Sequence, residues 1–191
     1  SLAPSVERLA GDDRFATAAR IQEELETLTG SDSPRVVVVE GADPDPARGW
    51  PDAVAASALS AHAGWPILLV TTDDLPSATS DALSGRDVTI VGGPVAVSAG
   101  VEAAIDRVAR SVDRIAGDTR YETSRLVAER ARAAGLTRDV LTLVSGGNWP
   151  DALVAGPLVA RTDGAFLLLP PEDVASAQPT LRFMSDHGPF A

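Results

Sequence analysis

One stretch of this sequence occurs twice. Residues 6–17 read VERLAGDDRFAT and residues 112–123 read VDRIAGDTRYET, an offset of 106 residues (112 − 6 = 106). Further blocks recur in the same order. VVVVEG at 36–41 is matched by LTLVSG at 141–146, WPDA at 50–53 by WPDA at 149–152, and ILLV at 67–70 by FLLL at 166–169. Four matched blocks in the same order mean two related modules, spanning 6–111 and 112–191. The second module has no counterpart of VTIVGGP at 88–94, nor of the helix that follows it. It is therefore truncated by a strand and a helix, and its sheet is expected to present an unfilled edge.

Within each module, apolar runs alternate with helical patterns. Residues 6–10 and 112–116 read as short strands. Residues 15–28 place Phe15, Ala18, Ile21, Leu25 and Leu28 at helical spacing, and residues 119–134 repeat that plan. The valines at 36–39 have the unbroken apolar character of a strand covered on both faces. Pro51 and Asp52 open a second helix, since proline fits the first turn and a carboxylate suits the positive end of the helix dipole. Strands follow at 66–70 and 88–91, with a helix capped by Ser98 running to about residue 110. The second module predicts strands at 140–144 and 165–169 and helices at 151–159 and 174–185. This order gives an α/β fold of two homologous open, mostly parallel-sheet modules with flanking helices, the second truncated.

The chain carries a formal net charge of −11 and contains no lysine and no cysteine. Its acidity disfavours nucleic acid as a partner, and the missing cysteine removes disulfides, thiolate metal sites and cysteine nucleophiles. The most apolar stretch, 53–70, is interrupted by His62, Gly64 and Pro66, so no membrane span is expected. Residues 1–4 lack the apolar core of a signal peptide, as a mature secreted chain would.

The motifs RLAGDDRFAT at 8–17, RIAGDTRYET at 114–123, WPDAV and WPDAL at 50–54 and 149–153, ILL at 67–69 and IVGGPVAVS at 90–98 together resemble the second type of cell-wall-binding repeat, found in secreted proteins of Gram-positive bacteria. The resemblance covers about residues 6–185. It implies noncovalent anchoring to cell-wall anionic polysaccharide or another peptidoglycan-linked polymer, at an extracellular, wall-associated location. It implies no catalytic residue, metal or cofactor. Such repeats usually come three in tandem around a pseudo-threefold axis. One complete and one truncated repeat thus raise the expectation of self-association through the open edge of the second module, or of a third repeat.

The candidate ligand-binding residues are Arg14, Arg120, Trp50, Asp52, Trp149, Asp151, Gly92 and Gly93. Arginine forks suit phosphate and carboxylate, but Arg14 and Arg120 equally suit pairing with a nearby acid or bridging the modules. Trp50 and Trp149 lie in loops that follow strands, where α/β sheets bind ligands. They either stack on sugars or plug the loop. Asp52 and Asp151 have a simple role as helix-start charges. Gly92-Gly93-Pro94 offers backbone N–H groups to an anion, or is a turn that demands glycine. Two other functional classes remain open. One is a structural or oligomerisation module. The other is a Toprim-like or nucleotide-binding enzyme using Glu40, Asp73 and Asp74, disfavoured because no P-loop is present and Ser145 replaces Glu40 in the second module. Half of the sixteen arginines lie between 107 and 138, interleaved with acids, which is the pattern of a solvated ion-paired face.

Overall fold

The computed structural model describes residues 6–136 and 140–190, with the side chain of residue 174 left aside. Arg138 of the arginine-rich stretch lies outside the described residues. The elements in order are α1 (Arg14–Thr29), β1 (Arg35–Ala42), α2 (Pro51–Ala63), β2 (Ile67–Thr71), α3 (Ser77–Leu83), β3 (Asp87–Val91), α4 (Ala99–Asp106), β4 (Ser111–Ile115), α5 (Arg120–Ala133), β5 (Leu141–Ser145), α6 (Trp149–Thr162), β6 (Ala165–Leu169) and α7 (Gln178–His187). The fold is α/β, with a parallel four-stranded sheet in the order β2-β1-β3-β4 and a parallel two-stranded sheet β5-β6.

The valine strand explains the layering. Side chains alternate across a strand, so Val36 and Val38 face Ala18, Leu83, Val101 and Ile105 of α1, α3 and α4. Val37 and Val39 face Ala56 and Leu59 of α2 and Val127 and Ala131 of α5. Both faces are covered, which is why the run needs no polar alternation. Helix α5 thus packs on the sheet of the first module. It also serves the second, where Ser124 Oγ accepts the buried Leu168 N–H of β6 at 3.0 Å.

Three expectations are corrected. Residues 6–10 form no strand, although their copy at 112–116 does. The copy is β4, and it pairs with β3 from Asp87↔Ser111 to Val91↔Ile115, completing the sheet of the first module. A strand needs an open edge to pair with, and β3 provides one, whereas 6–10 pair with no strand among the described residues. Second, the α1 face is rotated. Ala18 and Gln22 are its buried residues, whereas Ile21 and Leu28 are exposed. Third, the predicted helix at 174–185 divides into a 3₁₀ turn at Val174–Ser176 and α7, with Pro179 at the start of the helix.

Helix ends follow their local chemistry. Asp13 caps α1 by accepting the Ala16 N–H at 2.7 Å, and Thr119 caps α5 by accepting the Glu122 N–H at 3.2 Å. The two caps occupy matching places in the duplicated block, so the repeat conserves a turn as well as a sequence.

Candidate functional site

The carboxyl ends of β1, β3 and β4 lie side by side because the strands are parallel and adjacent. The segments leaving them enclose a cleft of about 420 Å³, lined by Glu40, Arg48, Asp52, residues 93–96 and residues 117–120. The position fits the general rule that open α/β sheets place ligands beyond the carboxyl ends of their strands.

Glu40 forms part of the cleft wall. It is buried in β1, where its carboxylate accepts from the Thr72 hydroxyl and from the Gly49 N–H at 3.2 Å, and faces Arg48 at 3.5 Å. Burial pushes its carboxyl above the usual range, and the Thr72 hydrogen bond holds it down in part. Arg48 donates to Val95 O at 2.6 Å and pairs with Asp43 at 3.3 Å. It ties the loop after β1 to the turn after β3. Residues 43–48, which the second module lacks, supply this clamp.

Asp52 is enclosed more tightly than a helix-start charge. Its Oδ2 lies so close to Gly92 that a Cβ there would sit 2.5 Å from it. Gly92 has φ +122, a conformation side chains rarely adopt, so two independent constraints demand glycine. Among the described residues no hydrogen-bond donor or ion-pair partner reaches the Asp52 carboxylate. Burial, and then the neighbouring Glu40 charge, push Asp52 up to about 6, against the opposing pull of Arg120 and Arg48. The positive end of α2 favours the ionised form by only about 0.3–1 kcal/mol, and desolvation prevails. Gly93 differs from its neighbour: a Cβ there meets nothing within 4 Å. Gly92→Ala is expected to destabilise the chain by about 1–3 kcal/mol, whereas Gly93→Ala leaves the urea midpoint within experimental error. Equal effects would remove the special role of Gly92.

The two repeated arginines do the same job. Arg14 Nη1 donates to Gly41 O at 2.7 Å, and Arg120 Nη1 donates to Gly146 O at 2.9 Å, each holding a helix start to a strand end. Arg120 also donates to Ala47 O at 3.0 Å and lies over Trp50, 5.4 Å from the ring centroid. It therefore bridges the modules. Trp50 packs with Val54, Ala55, Phe166 and Leu168 beneath it. Trp149 remains 50% exposed and Asp151 is exposed. The cleft thus gathers Asp52, Arg120 and Gly93, with Gly92 against the Asp52 carboxylate and Trp50 beneath Arg120. Arg14, Trp149 and Asp151 lie elsewhere. Arg14 lines a second, shallower hollow with Asp43, Thr71 and Asp73.

Glu40 and Arg48 were missed as cleft residues. The signal for Glu40 was an acid ending a run of buried valines, and for Arg48 a basic residue inside an insertion. Asp73 and Asp74 are exposed, and no group of three or more metal-ligating side chains forms among the described residues. Within the arginine-rich stretch Arg110 pairs with Asp87, Arg114 with Glu102, the buried Arg125 with Glu122 and Glu129, and Arg130 with Asp113. His62 faces Asp163 and His187 faces Glu129, so the two histidines serve different carboxylates.

The sequence profile of cell wall binding domain 2 matches residues 8–102 and 114–184, one match for each copy of the repeat. This chain belongs to the cell wall binding domain 2 family. Its relatives in Bacillus subtilis (strain 168) include the N-acetylmuramoyl-L-alanine amidase LytC, 30% identical over 96% of this chain and 34% of that protein. The amidase enhancer of the same organism is 28% identical over 91% of this chain and 22% of that protein. Among solved structures, Cwp6 from Clostridium difficile superposes with a TM-score of 0.78 at 28% identity, covering 94% of this chain and 27% of Cwp6. Cwp8 from the same organism superposes with a TM-score of 0.72 at 26% identity, covering 91% of this chain and 29% of Cwp8. The chain thus spans about a third or less of each of these family relatives. No helix among the described residues is long and apolar enough to cross a membrane.

Proposed function

We propose that this chain is a non-enzymatic module that holds an extracellular bacterial protein noncovalently to cell-wall glycopolymer. The observation that carries this is the cleft at the carboxyl end of the four-stranded sheet, with Asp52 unpartnered inside it, in a chain of a wall-binding family. Glu40, Arg48 and Arg120 are held in the cleft by hydrogen bonds to the protein, which suits recognition without bond making. Purified chain is expected to co-sediment with Gram-positive walls stripped of protein, and to remain in the supernatant once the secondary polymer has been extracted. Equal retention on both preparations would contradict the proposal.

A second role, in assembly, is favoured by one comparison inside the molecule. Helix α2 buries Val54, Ala55 and Leu59 in clusters shared with α6 and the sheets. The matching positions of α6 are Leu153, Val154 and Leu158, exposed by 58%, 76% and 58%. On α1, Ile21 is exposed where its copy in α5, Val127, is buried. Module one thus has a bare helix face of the kind α5 covers, and module two a bare face of the kind α2 covers. Bare faces of this kind mark interaction sites. The chain is expected to self-associate with rising concentration, and Leu153→Asp is expected to abolish this in light scattering. A monomer at every concentration would remove self-association through α6.

A further inference from the structure

Resting on the wall-binding function proposed above, we propose that the cleft holds its polymer through the hydroxyl groups of a sugar ring, with Asp52 as the acceptor, rather than through a phosphate or carboxylate of the polymer. The balance of donors and acceptors points this way. From β1 the cleft receives Glu40, and from the following loop Arg48 with Asp43 behind it. From the start of α5 it receives Asp118 and Arg120, while the turn at 92–96 carries no charged side chain. Three acids therefore line it against two arginines. Both arginines already serve protein groups with part of their forks: Arg48 through Nη2 to Val95 O, Asp43 and Glu40, and Arg120 through Nη1 to Gly146 O and Nη2 to Ala47 O. The Thr119 and Thr123 hydroxyls accept backbone N–H groups of Glu122 and Gly117.

Asp52 and Asp118 are the exceptions, carboxylates with no donor reaching them among the described residues; Asp118 is exposed, whereas Asp52 is half-buried at Gly92, next to the open space at Gly93. An incoming anion would meet a net negative lining and would raise the cost of ionising Asp52 further. A pair of sugar hydroxyls does the opposite. Hydroxyls donate to the carboxylate, supply the bonds it lacks, and favour its charged form.

The sign of the pH dependence follows. The ligand favours ionised Asp52, so affinity is full above about pH 6 and is lost as pH falls through that value. With Asp52 about nine-tenths protonated at pH 5, affinity for the sugar is expected to fall by about tenfold relative to pH 7.5. An anion-binding site in the same cleft would show the reverse trend and a steep loss of affinity with salt.

The test is calorimetric titration of the full chain with two glycan preparations from protein-stripped Gram-positive walls. One is the phosphate-bearing polymer. The other is the neutral saccharide left after hydrofluoric acid removes phosphodiesters. The expected result is binding of both, less than a twofold change between 50 and 250 mM salt, and weaker binding at pH 5 than at pH 7.5. Asp52→Asn is expected to lose about tenfold at pH 7.5 and to become insensitive to pH. Gly93→Phe, which fills the open side of the cleft and leaves Asp52 in place, is expected to lose binding too. Binding of the phosphate-bearing polymer alone, strengthening as pH falls, would overturn the sugar-hydroxyl contact while leaving wall binding intact. Unchanged affinity in both variants would do the same. No binding of either preparation by the parent chain at any pH would overturn the wall-binding function and the contact together.

Discussion

At pH 7 the Asp52→Asn variant is expected to be more stable than the parent chain by up to roughly 3 kcal/mol. Folding encloses the carboxyl and raises it from 3.8 to about 6. Between those values the native state binds the proton that the unfolded state has released, so stability falls as pH rises through the window. As pH falls through 3.8 the unfolded state takes up the proton as well, and the difference between variant and parent is expected to shrink toward the small effect of swapping a neutral acid for an amide. Urea unfolding at several pH values reads this directly: a gain at pH 7 that fades by pH 4. A gap independent of pH, or a less stable variant at pH 7, would mean that the carboxylate is not held in the enclosed, unpartnered state described. Stability and binding are expected to move in opposite directions at this position, the usual mark of a group kept for function.

The other large effect is expected in the second module. Phe183 on α7 is fully buried with Ala128, Ala165 and Leu167, and stacks on Phe190 at 5.9 Å between centroids. Phe183→Ala removes the largest side chain of a small cluster and is expected to cost about 3–5 kcal/mol, a large share of a stability of about 5–15 kcal/mol. The loss is expected to be uneven. The core of the four-stranded sheet is built by separate clusters around Val36 to Val39, whereas β5 and β6 form only a two-stranded sheet, which is marginal without helices against it. Hydrogen exchange should therefore show amides of β5, β6 and α7 losing protection first, while β1 and β3 keep theirs. Uniform loss along the chain would show instead that the modules unfold as one unit.

Much of the architecture was legible where the determinants are local. The valine run, Pro51 at the start of α2, the Ser98 cap and the alternation of strand and helix each act within a few residues, and they gave the elements and their class. What the sequence did not disclose was non-local. Residues 6–10 and 112–116 are near copies, yet only the second is a strand, because pairing depends on the edge of β3 and not on the segment itself. Repetition marks copies, and it does not mark which sheet a strand joins. The same limit applies to the site. Asp52 and Asp151 occupy the same motif position. Asp52 is closed in by the turn at 92–96 and the start of α5, while Asp151 stays exposed, with no such turn against it among the described residues. Arg14 and Arg120 show the converse: closely similar sequence context produced the same bond to a glycine carbonyl, and the bridging role of Arg120 came only from where the first module lies.

The most direct measurement is amide chemical-shift mapping of the labelled chain during titration with saccharide released from protein-stripped walls. If the wall glycan occupies the cleft, the largest perturbations fall on Gly49, Gly93, Val95, Asp118 and Thr119, and in Asp52→Asn they need about tenfold more saccharide to reach the same size. Perturbations centred on exposed Trp149 and Asp151, or an unchanged spectrum at saturating saccharide, would contradict it.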